Sequence, residues 1–172
     1  MKFILPIGAA FACIAWAASV STDYDHHADF GHYHTYYWIG VKAGDSLWQD
    51  RIMNTVDSQL AAKGWTKSQG SGDAAVSAFG RVNERDNLET FYDGFPGWGW
   101  RHWGGGAGMA TTEVIPEKVG NLTVDIFDGN TKQLVWRGQA SDVLSSKPEK
   151  NDKKLEHTVA DMFKKFPPPP KS

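Results

Sequence analysis

"VGNLTVDIFDGNTKQLVWRGQASDVL", residues 119–144, alternates apolar and polar side chains on both sides of a turn-forming centre. Successive side chains of a strand point to opposite faces, so Leu122, Val124 and Ile126 share one side. Leu134, Trp136, Gly138 and Ala140 alternate likewise on the return. "DGNTKQ", residues 128–133, supplies the aspartate, glycine and asparagine that tight turns favour. The stretch is a predicted β-hairpin with one face turned to a core. Asp125, opposite in phase to Val124 and Ile126, belongs on the exposed face.

Working outward, the C-terminal flank predicts a helix from about Glu149 to Phe166. Leu155, Val159, Met162, Phe163 and Phe166 share one of its faces, and "FPPPPKS" stops it because proline cannot continue a helix. Upstream, "AAVSAFGRVNE" sets Val76, Ala78, Gly80 and Val82 against Ala75, Ser77, Phe79 and Arg81. Side chains this small suggest a strand packed closely under a helix. A second helix opens at Gly44-Asp45, where Ser46 and Gln49 have capping-box spacing. Trp48, Ile52, Val56 and Leu60 form its apolar stripe, with Met53 beside it, and Gly64 suits its left-handed end. Its polar face (Gln49, Asp50, Arg51, Asn54, Asp57) is expected to be solvated. Before it, "VSTDYD" and "HYHTYYWI" are rich in β-branched and aromatic residues and read as strands. In the second, His34, Tyr36 and Trp38 point one way and Tyr33, Thr35, Tyr37 and Ile39 the other. The expected fold is α+β: a largely antiparallel sheet with two amphipathic helices packed on one face.

The chain has 172 residues, a size suited to one domain, and a net charge of −2, which favours neither nucleic acid nor an anionic surface. Residues 1–17 read as a signal peptide: a basic start and an apolar run too short to span a bilayer comfortably, ending in "AWA". Export is therefore expected, to the periplasm or the outer membrane. The only cysteine, Cys13, lies in that segment. "AFAC" is a weak lipoprotein box, so Cys13 is a minority lipidation candidate and otherwise leaves with the signal. The remaining chain then has no thiol and no disulfide. A single α+β domain is expected over 18–166, with a Gly/Trp-rich loop at 85–110 and a Pro-rich tail at 167–172.

Several of these pieces share one pattern. They are "DYDHHADFGHYHTYYW" (23–38), a helix ending "LAAKGW", the Gly/aromatic stretch, the hairpin and a final helix ending "FPP". Together they resemble a bacterial exported and lipoprotein family known as domain-of-unknown-function family 4136. The resemblance implies a cell-envelope protein of α+β fold and implies no activity. The family's recurring positions fall at Asp25, Asp29, Phe30, Tyr33, Thr35, Tyr36 and Trp38, and the histidines lie between them.

Three constellations could carry chemistry. His26, His27, His32 and His34, with Asp23, Asp25 and Asp29 near by, offer the donors that suit zinc, copper or nickel. His32 and His34 would share a face if the strand began at Gly31. The family pattern leaves these positions free, so the metal site is a minority reading. Tyr92, Phe95, Trp98, Trp100 and Trp103 offer flat apolar faces that stack on ligands, insert into interfaces, or fold back over a sheet. Asp23 and Asp25 would share a strand face, but nothing else marks them as an acid/base pair. No hydrolase, zinc-protease, Rossmann or P-loop motif occurs. No cofactor and no nucleic acid is expected, and membrane contact only through an anchor at Cys13. The favoured reading is a non-enzymatic binding or structural domain of the envelope, which would meet an unidentified partner or ligand through its Gly/Trp loop. An envelope-polymer hydrolase and a His-based metal module are the alternatives.

Overall fold

The hairpin is the centre of the molecule. A computed structural model describes residues 18–85 and 117–169. β5 (Glu117–Asp128) and β6 (Leu134–Val143) pair antiparallel, with Leu122 opposite Ala140, Val124 opposite Gly138 and Ile126 opposite Trp136. All six are buried on one face, as their alternation requires. The register shifts at Ile126/Phe127, so Leu134 does not join that row. It is exposed, and Val135 is buried in its place.

β4 (Ala74–Arg85) adds to β5 antiparallel, and β2 (Thr35–Lys42) adds to β4 parallel. Two parallel strands need a crossover, and α1 (Ser46–Ala62) supplies it. The two-residue β3 (Thr66–Lys67) forms the far edge beside β2. β1 (Ser19–Tyr24) crosses to the other edge and pairs antiparallel with β6. Among the described residues this gives one six-stranded sheet in the order β1-β6-β5-β4-β2-β3. Antiparallel pairing dominates, as expected, although both neighbours of β2 are parallel to it.

α1 and α2 (Pro148–Phe163) lie side by side on one face, tied by Arg51 and Asp152 at 3.0 Å. Ile52, Val56 and Leu60 of α1 and Val159, Met162 and Phe163 of α2 are buried against the sheet. At Gly138 any Cβ would overlap Met162 and Trp136, so glycine is what lets α2 lie directly on β6.

Three sequence expectations are corrected. The N-cap of α1 is Asp45 rather than Ser46, its carboxylate accepting from the Trp48 N–H at 2.9 Å. α2 ends at Phe163, and Phe166 is buried from the turn beyond it. Residues Phe30–His32 form a 3₁₀ turn and β2 starts only at Thr35, so His32 and His34 share no strand face. The left-handed end of α1 is found at Gly64, with φ +84°.

Candidate functional site

The stretch 23–38 shows first what the fold does with candidate ligands. His26, His27, His32 and His34 are all exposed. His32 Nδ1 meets Asp29 Oδ2 at 2.8 Å in open solvent, and the ring of His26 lies 4.4 Å from that of Tyr24. β1 ends at Tyr24, and Asp25 turns away to accept the His27 N–H, so Asp23 and Asp25 do not form a strand-face pair. Among the described residues no group of three His, Cys, Asp or Glu side chains converges.

The aspartates that matter lie elsewhere, and they fasten the fold. Asp73 accepts both the His34 and Thr35 N–H groups and the Thr35 hydroxyl, at 2.8–3.0 Å. Those bonds, the His34 N–H first, hold its carboxyl below the usual carboxylate range. Asp128 takes the Thr131 and Asn130 N–H groups of the hairpin turn and the Tyr33 hydroxyl. The Thr131 N–H does most to lower it. Burial pushes the Tyr33 and Tyr36 phenols up, and hydrogen bonds to Asp128 and Asp57 push them further. Asp57 is a correction to the solvated-face expectation: it is part-buried and accepts from Tyr36 Oη and Trp38 Nε1, both at 2.7 Å, and from Lys67 Nζ at 2.8 Å. Asp125 stands on the face opposite Ile126, as its phase required, and is clamped by Arg137 at 2.6 and 2.7 Å. That clamp raises the guanidinium further. Every one of these groups is consumed by a structural bond.

At one end of the helix–sheet layer the packing is closed. Phe166 sits among Phe30, Trp65, Trp136 and Phe163, with ring centroids 5.2–5.9 Å away. At the other end the same layer gapes. There Trp48 and Ile52 of α1, Leu155 and Thr158 of α2, and Leu144 after β6 surround a cleft of about 120 Å³. Its sheet side is Gly80, Gly120 and Ala140, which have almost no side chain to fill it. Val82, 55% exposed, stands in its lining. Of the polar side chains there, Lys154, Asp142 and Asn151 have partners, and Arg81, Asn121 and Thr158 also border the cleft. Lys154 donates to Asp142 at 3.1 Å and to the Val143 carbonyl at 2.5 Å. Asn151, itself buried, holds the Ser145 N–H and carbonyl at 2.7 and 2.8 Å.

With this geometry in place, the comparison with known families decides what kind of chain this is. A model of a domain of unknown function, DUF4136, matches residues 20–168. The chain belongs to the DUF4136 family. No curated protein matches it. This DUF4136 domain is similar in fold to a PDZ domain protein from Parabacteroides distasonis, with TM-score 0.57 and 15% identity over 89% of this chain. The chain spans only 37% of that protein's length. It is similar also to the dodecameric PelC of Paraburkholderia phytofirmans, with TM-score 0.52 and 9% identity over 85% of this chain and 95% of PelC. At such identities the likeness is one of fold alone. A minor lipoprotein from Acinetobacter baumannii aligns more loosely, at TM-score 0.36 and 11% identity over 78% of this chain and 92% of its own.

Cys13 and the aromatic group Tyr92, Phe95, Trp98, Trp100 and Trp103 lie outside the described residues, as does the Gly/Trp-rich loop expected at 85–110 beyond Arg85, which ends β4. The sequence reading missed the cleft. Its signal was present: Gly80, Gly120 and Ala140 all fall on the core-facing side of their strands.

Proposed function

We propose that this DUF4136 chain is an exported cell-envelope protein that binds a ligand rather than transforming one, and that the cleft between the helices and the sheet is its binding place. The observation that carries the reading is the cleft's lining. It is carbon almost throughout, and Lys154 and Asp142 beside it are bonded to each other, which suits binding of an apolar group better than proton transfer to a substrate. The tyrosines and aspartates whose proton affinities are most displaced are hydrogen-bonded to one another or to backbone, and none lines the cleft. Export is supported by the apolar segment 1–17. No helix among the described residues is long and apolar enough to cross a membrane. Detergent partition of wild type and Cys13→Ser tests the anchor at Cys13: a difference supports it, and equal partition removes it.

The binding reading is tested by native mass spectrometry of the protein purified from an envelope fraction, wild type against Val82→Trp. A non-covalent adduct on the wild type that the variant lacks is the expected result. Release of soluble fragments from peptidoglycan or lipopolysaccharide, with no adduct, would replace the binder with a hydrolase.

A further inference from the structure

We infer that the molecule this cleft takes is an amphiphile, held by its alkyl chain with the polar head left in solvent. The inference rests on the cleft being the binding place and adds the chemistry of what enters it. Size comes first. At about 120 Å³ the cleft approaches the roughly 150 Å³ of an apolar cavity that stays dry and admits benzene. It is open on one side, so a bound chain can continue outward.

Polarity comes second. A sugar, peptide or nucleotide placed here would be desolvated largely against Gly80, Gly120, Ala140 and Leu144, carbon surface that returns no hydrogen bond for the lost water. Lys154 and Asn151 are already engaged with Asp142, Val143 and Ser145. A saturated chain asks for none of these bonds. Its recognition is the removal of methylene surface from water, about 0.8 kcal/mol or roughly fourfold in affinity for each methylene buried.

The path of the polypeptide is the third argument. Ser19 pairs with Ser141, between Ala140 and Asp142 of the lining. The chain therefore enters the fold at the cleft's own end, and the 17 residues before Ala18 are the apolar segment.

Two alanine methyls, Ala43 and Ala140, line the cleft, and Ala74 is buried at the far end of β4 as an internal control. The full chain is expressed with labelled alanine, purified from the envelope fraction and followed by methyl NMR. Octanoate, decanoate and laurate are titrated, each below its micelle concentration, and phosphatidylglycerol vesicles separately. The expected result is saturable movement of the Ala43 and Ala140 signals with Ala74 unmoved. Affinity should rise roughly fourfold per methylene until the cleft is full. Val82→Trp, made at an exposed position, should weaken binding at least tenfold while its melting temperature stays within a few degrees. Free acids that move the methyls identify a soluble amphiphile. Vesicles that move them when free acids do not identify a bilayer lipid, and either supports the inference. Unmoved methyls, no dependence on chain length, or binding indifferent to Val82→Trp would overturn it. If the alkyl series fails while the native adduct is still lost in Val82→Trp, only the ligand class falls. If both fail, the cleft is not a binding place.

Discussion

The two ends of the layer between helices and sheet are built from the same strands and the same pair of helices, yet one is filled and the other is not. Toward Ala74, Ile126 and Trp136 the sheet meets Trp65, Phe163 and Phe166, whose buried rings pack on one another. Toward Val82, Gly120 and Asp142 the sheet offers glycine and alanine, and a cleft remains. What differs is side-chain volume at core-facing positions rather than topology. The filled end holds the domain together, and the open end can be altered at little structural cost.

Phe163→Ala should have the largest effect. Phe163 is fully buried and touches the rings of Trp136 and Phe166. Truncation of such a ring costs about 3–5 kcal/mol, and thermal unfolding should fall by roughly 10 °C or more. A loss under about 1 kcal/mol would mean the aromatic end does not carry the fold. Gly138→Ala should come next. Its Cβ would overlap Met162 and Trp136, and overpacking of this kind costs typically about 1–3 kcal/mol, readable in urea midpoints.

Asp57→Ala should cost about 1–3 kcal/mol, because the Tyr36 hydroxyl and Trp38 Nε1–H lose their acceptor in a part-buried place. Lys67→Ala removes only the solvent-facing partner of the same carboxylate and should stay within about 0.5 kcal/mol. Equal losses in the two variants would make the interaction a surface ion pair and nothing more.

Acid should loosen the same end. Asp73 and Asp128 both have folded-state proton affinities lowered from the ordinary value of 3.8. A depressed carboxyl stabilises the fold above its unfolded pKa, and that contribution is lost as pH falls through the folded value. Urea midpoints should therefore drop steadily below about pH 4. Asp73→Asn should be less stable at neutral pH and show a shallower acid slope. An unchanged slope would mean that the His34 and Thr35 N–H bonds contribute no pH-dependent stability.

The sequence showed the frame and hid the site for one physical reason. Periodicity reports which face is buried, so Leu122, Val124, Ile126 and the α1 stripe were legible directly. Periodicity does not report how much volume faces them from the other layer. Gly80 looked like close packing under a helix, and it does pack there: a Cβ at that position would stand 3.1 Å from Ile52 Cδ1. That β5 and β6 also bring Gly120 and Ala140 beside it follows from strand register, which a single strand's pattern does not fix. Asp57 was misread for a related cause. On the helix alone it belongs to a polar face, and only the approach of β2 delivers Tyr36 and Trp38 to it. The histidines were set aside on the family pattern, and the one geometry that would have paired His32 with His34, a strand from Gly31, is replaced by the 3₁₀ turn at Phe30–His32.

Gly120→Ala should have the smallest effect, and it probes the open end with the same added methyl as Gly138→Ala. The new Cβ would come within 2.9 Å of Leu144 Cδ2. That atom is the far end of a flexible side chain, and Leu144 borders the cleft, so it can swing aside. Against that shift stands the lower entropy of an unfolded chain with one glycine fewer, worth about 0.4–1 kcal/mol in favour of the folded state. The two terms nearly cancel, and the urea midpoint should move by less than an equivalent of about 0.5 kcal/mol in either direction. The Ala43 methyl signal should shift as Leu144 repositions across the cleft. If Gly120→Ala destabilises the protein as much as Gly138→Ala, the cleft end is as tightly packed as the aromatic end, and the contrast between them disappears together with the room a ligand needs.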